Sequence, residues 1–353
     1  MTARERLGVG LIGAGPVAQA IHLPAIARLG DHLFVAHVMD IDAGIAETVA
    51  SPVGAAWSTS VDDLLADPSV EVVVICSPHL FHAEQAIAAF RAGVRAVLCE
   101  KPLAMSAEEA RQIVDASEAS GVPFVVGNMH AYDPGWLAAA ARWDGTGATP
   151  HTIRASAVLP WNSRFEDLAT EMVGRPPAPP SPTKTSEPDA SATAGALHGA
   201  VMGLAIHDLP LVRRLLPGWE ELTIVSARFE PPFGYLIVGE TDGRTLILEG
   251  AMHGGWKPDW TLEAVGDEHT VTVRFPPSYV MAGSATAELA HEHVETRVGP
   301  FEENGYEGEW HELIRLVRDG QPSRSRLSSV DDLRFALSIA EQSSQLVMNG
   351  AVE

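Results

Sequence analysis

Cysteine is nearly absent from this chain. Cys76 and Cys99 are the only two, which excludes a disulfide framework and suits a reducing compartment. Basic residues are scarce too: 24 Lys and Arg face 46 Asp and Glu, for a formal charge of −22. Such a surface repels phosphodiester backbones and anionic lipid, so neither nucleic acid nor a membrane is expected as a partner. No apolar run reaches the roughly 18 residues that span a bilayer, and the opening Met1-Thr2-Ala3-Arg4-Glu5-Arg6 lacks the apolar core of a secretion signal. The expectation is a cytoplasmic protein. Apolar residues are plentiful: at 46% of 353 residues they can fill about two cores, the number a chain of this length usually forms.

The first organised stretch is an apolar run, Leu7 to Ile12, followed at once by Gly13-Ala14-Gly15-Pro16-Val17-Ala18 and a helical pattern through Leu29. Strand, glycine turn and helix in that order form a dinucleotide-binding unit. Gly13 permits the tight turn, Gly15 lets the backbone approach a pyrophosphate, and Ala18 lets the helix pack closely on the strand. The anion would rest at the helix N-terminus beside Pro16 and Val17, where free N–H groups favour it. A second run, Leu33 to Met39, ends at Asp40, about 20 residues past the turn, where a carboxylate takes the ribose hydroxyls.

Further runs at Glu71 to Cys76, Val94 to Leu98 and Phe124 to Gly127 alternate with helical patterns at Val61 to Leu65, Phe81 to Arg91 and Ala107 to Ala119. Strands alternating with helices specify a parallel, doubly wound sheet, here of five strands. Ligands of such sheets collect at the carboxyl ends of the strands. There the chain puts Ser77-Pro78-His79, with His82 just beyond, then Glu100-Lys101-Pro102 and Asn128-Met129-His130. Ser77, Pro78, His79, His82, Glu100 and Lys101 are accordingly assigned to the cofactor. Pro102 fixes its own φ and restricts Lys101 to extended geometry, which makes this ammonium the first candidate for chemistry. The ordinary alternative is a solvated surface lysine.

The glycine turn, Cys76-Ser77-Pro78-His79-Leu80-Phe81-His82, Glu100-Lys101-Pro102, Tyr132-Asp133-Pro134 and Ile206-His207-Asp208 together resemble the Gfo/Idh/MocA family of nicotinamide-dependent oxidoreductases, in order and over nearly the whole chain. The resemblance implies an α/β protein: an N-terminal Rossmann doubly wound parallel sheet, residues 1–128, then an α/β domain, residues 129–353, with a large, mostly antiparallel open sheet. It implies a small sugar-like carbinol or carbonyl substrate, NAD as cofactor with NADP as the alternative, and a homo-oligomer, dimer or tetramer, assembled through the open sheet. Family members pair the lysine with an aspartate and a histidine four residues apart. The matching positions are Gly203 and His207, so the aspartate is missing. On one helix those two side chains would face the same way, whereas Asp208 would point about 100° from its neighbour His207 and replace the aspartate poorly. His130 and Tyr132 are candidates to contribute instead. The family's usual arginine-rich tract reads His130-Ala131 here, and its usual asparagine is His79.

The second half carries alternating runs at Thr152 to Leu159, Leu222 to Phe229, Tyr235 to Glu240, Thr245 to Ala251, Thr261 to Val265 and Thr270 to Phe275, which read as strands. Two helical patterns close it, Tyr306 to Arg318 and Val330 to Met348. Residues 174–194, mostly Pro, Ser, Thr and Ala, have little to bury and are expected to form a mobile excursion. Trp161, Trp256 and Trp260, with Arg164 and Lys257 nearby, are candidate substrate walls, against ordinary aromatic packing. His291 and His293 flank Glu292 without a third ligand of suitable spacing, so no metal is expected.

These features point to an NAD(P)-dependent oxidoreductase in which Lys101 polarises or protonates the developing oxygen and His207 shuttles a proton, with Asp208 among the residues facing the substrate. Reduction of an imine or enone, or a cofactor-assisted cyclisation, would not need the missing aspartate. A dinucleotide-binding regulator would need no catalytic set, but the complete Glu100-Lys101-Pro102 motif favours an enzyme. Asp40 places a carboxylate where a 2′-phosphate would sit, and no basic residue follows in Ile41-Asp42-Ala43-Gly44. NADH should therefore bind more tightly than NADPH in a fluorescence titration, with the gap narrowed in Asp40→Ala. Tighter binding of NADPH would reject the assignment of Asp40.

Overall fold

The computed structural model describes residues 6–174, 189–253, 257–320 and 326–350. Six strands, β1 (Leu7–Ile12), β2 (Leu33–Met39), β3 (Ala56–Ser58), β4 (Val72–Ile75), β5 (Ala96–Glu100) and β6 (Phe124–Gly127), form a sheet in the order β3-β2-β1-β4-β5-β6. Every pairing is parallel. The central strands β1 and β4 are buried along their whole length, and their unbroken apolar runs are what a strand covered on both faces requires. β3 adds a sixth strand to the five expected; only three residues long and largely exposed, it has no apolar run to announce it. The helix Ala107–Ser120 begins where Ser106 Oγ accepts the Glu109 N–H at 3.2 Å and ends at Gly121, whose φ of +74° favours glycine.

Two compact units emerge from the contacts, the first comprising Met1–Met129, Glu166–Pro176 and Tyr306–Leu333. It thus draws in two stretches far along the chain. The helix Gly305–Asp319 delivers Trp310, fully buried, and Glu307, whose carboxylate accepts from Arg28 Nε at 2.5 Å.

The second unit comprises His130–Phe165, Pro177–Gly305 and Arg334–Glu353. Its strands are β7 (Thr152–Leu159), β8 (Thr223–Phe229), β9 (Gly234–Thr241), β10 (Arg244–Met252), β11 (Asp259–Val265), β12 (His269–Arg274), β13 (Thr286–His291) and β14 (Val294–Val298), in the order β14-β13-β12-β11-β7-β10-β9-β8. The sheet is open and antiparallel except where β10 runs parallel to β7. The β13–β14 hairpin went unpredicted because β13 is short and mostly half-buried and β14 is mostly exposed, so the period-two signal is too short to read. Helices also form at Pro134–Thr146, Ser163–Ala169, Ala190–Gly203 and Leu209–Leu215. The helix at Ala190 shortens the expected excursion: Asp189 Oδ1 accepts the Ala192 N–H at 2.7 Å, and the alanine-rich stretch beyond this cap has high helix propensity. Residues 175–188 lie outside the described residues. Among the described residues no single helix is long and apolar enough to cross a membrane.

Asp133, 2% exposed, fixes the helix Pro134–Thr146 to β13. Its carboxylate accepts the N–H groups of Gly135 at 2.8 Å, Trp136 at 3.1 Å and Ala285 at 3.0 Å. Burial raises the Asp133 carboxyl above its usual range, while these donors and the nearby His130 pull it back. Asp133→Ala removes an N-cap and leaves a buried N–H without an acceptor, so urea unfolding should show a loss of about 2–4 kcal/mol. A loss under roughly 0.5 kcal/mol, the size of an ordinary surface change, would reject this role.

Candidate active site

In the first unit the strand register sets the level of the rim. Ile12 pairs with Ile75, Ile75 with Cys99, and Cys99 with Val126, so the segments holding Gly13, Ser77, Lys101 and Asn128 leave the sheet together. Gly13 has φ +92°, and a Cβ there would lie 2.8 Å from Ser77 N and 2.9 Å from the Cys76 carbonyl carbon. Gly15 is the opposite case: a Cβ would meet nothing within 4 Å, so its backbone faces open space at the point where a pyrophosphate must come close. Ala18 is fully buried against the sheet. The segment after the half-buried Pro16 and Val17 is one π-turn, Ala18–His22, before the α-helix Leu23–Arg28, where a single α-helix was expected. Gln19 holds this turn by donating to the Ala14 and Val173 carbonyls at 2.7 and 2.9 Å. Asp40 stands beside it; Oδ2 accepts the Ala14 N–H at 2.8 Å and Oδ1 the Asp42 N–H at 3.0 Å. The carboxylate therefore shapes the turn, with further lone pairs left for a hydroxyl donor.

The adjoining loops are tied by His82, which is buried and has Nδ1 2.8 Å from the Pro102 carbonyl and Nε2 2.9 Å from the Ser77 carbonyl. This contact makes His82 a clamp between two rim loops. Ser77 Oγ donates to Gln85 Oε1 at 2.6 Å, while Pro78 and His79 are exposed. Burial lowers the His79 pKa, helped by the nearby charges of His82 and Lys101. β5 reaches two residues further than expected and ends in Glu100, making Lys101 the first residue off the strand; the Lys101–Pro102 peptide is cis. Burial pushes the Lys101 ammonium below its usual range, opposed by the Glu100 carboxylate. Glu100 is anchored from below: Trp310 Nε1 donates to His22 Nδ1 at 3.2 Å, which leaves His22 Nε2–H to donate to Glu100 Oε1 at 2.9 Å. Beside them Glu309 is fully buried, neither oxygen meets a hydrogen-bond partner among the described residues, and burial together with Glu100 raises its carboxyl well above the usual range.

The second unit holds a different cluster. Gly203 ends its α-helix, and His207 lies in a separate 3-10 turn, Ala205–His207, so the two do not share the single helix that was expected. Phe233 fills the space at Gly203: a Cβ would lie 3.0 Å from its ring Cζ. Asp208, 2% exposed, commits its carboxylate to His130 Nδ1 at 2.8 Å and Trp260 Nε1 at 2.7 Å. The acceptor next to His207 is thus an orienter for His130. The His130 ring stacks on Phe275 with centroids 3.8 Å apart, meets Trp260 edge-on at 4.4 Å and lies 6.1 Å from the His207 ring.

Of the other candidates, Tyr132 is half-buried at the end of the one-turn helix Met129–Tyr132. Trp161 is 42% exposed, and Arg164 lays its guanidinium over Phe165. Trp256 lies outside the described residues. Sequence reasoning missed Phe275, His22, Trp310 and Glu309; an aromatic at a strand end, or a buried residue on a distant helix, carries no local mark of the group it will touch.

Residues 7–128 match the model of an oxidoreductase family with an NAD-binding Rossmann fold. Inositol 2-dehydrogenase 3 of Saccharopolyspora erythraea is 36% identical over 157 residues, 43% of this chain and 46% of that protein, so the match spans about half of that relative. Inositol 2-dehydrogenase of Acidothermus cellulolyticus is 28% identical over 338 residues, 92% of this chain and 88% of that one. Among solved structures, UDP-N-acetylglucosamine 3-dehydrogenase GnnA from Acidithiobacillus ferrooxidans shares the fold, with a TM-score of 0.71 at 19% identity over 97% of this chain and 99% of that one.

The two glycines of the turn give opposite expectations. Gly15→Val should leave the thermal unfolding midpoint within about 2 °C of wild type and weaken NADH binding at least tenfold, whereas Gly13→Val should lower the midpoint by several degrees or prevent folding. Retention of NADH affinity in Gly15→Val would place the dinucleotide elsewhere.

Proposed function

Because this chain belongs to the Gfo/Idh/MocA family of nicotinamide-dependent oxidoreductases, we propose that it transfers a hydride between nicotinamide and the carbinol or carbonyl carbon of a small polyol or sugar-like molecule. The carrying observation is Lys101, which leaves the sheet at the level of the glycine turn with its ammonium pushed below the usual range by burial. A lysine so placed can donate to an oxygen as negative charge develops on it, and its lowered pKa brings proton exchange nearer to neutral pH. The open backbone at Gly15 and the carboxylate of Asp40 fit a dinucleotide; when bound, it supplies the hydride acceptor or donor. His207 assists on the substrate side as a weaker contributor than Lys101. The relatives named for inositol make a cyclic polyol the first substrate class to try, and the open sheet of the second unit is the surface we assign to homo-oligomer formation, in the cytoplasm.

A second reading rests on Phe233, whose ring fills the place where family members carry their aspartate. Reduction of an imine or enone, or a cofactor-assisted cyclisation, removes no carbinol proton and tolerates that loss.

The test is turnover of myo-inositol with NAD, and of its ketone with NADH, followed by absorbance. Lys101→Ala should lower turnover by about 10² or more and His207→Ala by about tenfold, with NADH affinity nearly unchanged in both. Ketone reduction, which uses the ammonium to stabilise the developing oxyanion, should fall as pH rises through the lowered Lys101 pKa. Equal turnover in wild type and a folded, NADH-binding Lys101→Ala would exclude the lysine mechanism.

A further inference from the structure

Among the described residues four histidines are buried: His22, His37, His82 and His130. Three of them have both ring nitrogens engaged. His22 lies between Trp310 and Glu100, His37 between Asp67 and Ser58, and His82 between two backbone carbonyls. That is how a purely structural histidine satisfies its polar atoms. His130 is different: Nδ1 meets Asp208 at 2.8 Å, while Nε2 has no hydrogen-bond partner among the described residues and is not one of the atoms sealed from solvent. Its ring is nevertheless held on three sides, by the Phe275 stack at 3.8 Å, the Trp260 edge at 4.4 Å and His207 at 6.1 Å. Asp133 is the other carboxylate near it.

An immobilised imidazole with an acid behind one nitrogen and no partner on the other is built to exchange a proton. The carboxylate of Asp208 accepts Nδ1–H, so the lone pair of neutral His130 sits on Nε2. Trp260 Nε1, at 2.7 Å from the other carboxylate oxygen, keeps Asp208 from turning away.

We infer that His130 is the proton-transfer residue of the reaction proposed above, on which this inference rests, and that Asp208 is its positioning residue, replacing the aspartate absent at Gly203. In the oxidation direction the carbinol O–H bond breaks and its proton goes to Nε2 of His130. The electron pair of that bond becomes the second carbon–oxygen bond, and the C–H pair leaves as hydride to nicotinamide, which is reduced. The imidazolium then gives its proton to water.

Histidine-selective 15N spectra of the full chain with NADH bound read the tautomer, the His130 signals being those lost in His130→Gln. Wild type should show His130 protonated at Nδ1, and Asp208→Asn should give a mixture of tautomers. In NAD-dependent oxidation of myo-inositol, His130→Gln should lower kcat by about 10² or more with KM changed less than about threefold, while His207→Gln lowers it by about tenfold or less. A wild-type His130 protonated at Nε2, or a folded His130→Gln with kcat within tenfold of wild type, overturns the assignment. If Asp208→Asn does not fold, the wild-type tautomer and His130→Gln still decide it. If wild type oxidises no myo-inositol, the polyol reading falls, and the tautomer in the same sample accepts or rejects the histidine–aspartate pair separately.

Discussion

Within a residue of the level where Ile12 pairs with Ile75, Ile75 with Cys99 and Cys99 with Val126, four parallel strands leave the sheet. The backbone groups just beyond them must be satisfied by turns, side chains or a ligand. Much of the first unit serves that requirement. Asp40 takes the Ala14 N–H, Gln19 takes the Ala14 carbonyl, and His82 bridges the carbonyls of Ser77 and Pro102. At Gly15 this bracing leaves a stretch of main chain open to space. A rim so braced is rigid where it must hold its shape and open where a ligand must approach.

The electrostatics beneath the rim follow from burial. Removing an ammonium from water disfavours its charged form, which is why Lys101 shifts down, and a carboxylate beside it works the other way. Glu100 accepts from His22 and from the Lys101 N–H, the histidine itself being oriented by Trp310. Glu309, by contrast, meets no donor among the described residues, and burial, with the Glu100 charge beside it, raises its carboxyl well above the usual range. Burial, with the Glu100 charge beside it, pushes the Cys76 thiol up, so this cysteine is a packing group rather than a nucleophile.

What could be read from the residues was local and periodic. β1 and β2 were found to the residue because a fully buried parallel strand is an unbroken apolar run, and the glycine turn between them has few structural alternatives. β3, β13 and β14 were invisible for the converse reason: they lie at or near sheet edges, where ladder pairing rather than burial makes the strand, and few of their residues are buried. The first-unit rim was legible because parallel alternation dictates that successive strands end on one side. The second-unit cluster was not. His130, Asp208, Trp260 and Phe275 come from four separate stretches brought together by β11, β12 and the helices, and nothing in the spacing of His207 and Asp208 says that the aspartate turns toward a residue far away in sequence. Assuming one continuous helix through Gly203 and His207 made Asp208 look misdirected, when the break at Leu204 changes where each side chain points.

The position of that acid also has an energetic logic. A carboxylate at residue 203 would press against the Phe233 ring, and a charge beside an apolar surface is costly unless donors compensate for lost water. At residue 208 two strong donors are in place, an indole N–H and an imidazole N–H, and both bonds are of charge-assisted length. The acid is therefore tolerable where it stands; burial first, and then the nearby Asp208, raise the Tyr235 phenol well above its usual range. A carboxylate so held fixes the histidine that it touches, and here that histidine is His130. In this fold the helix break at Leu204 and the aromatic at residue 233 have moved the acid–histidine relation from the pair that the sequence spacing suggests to one formed through space.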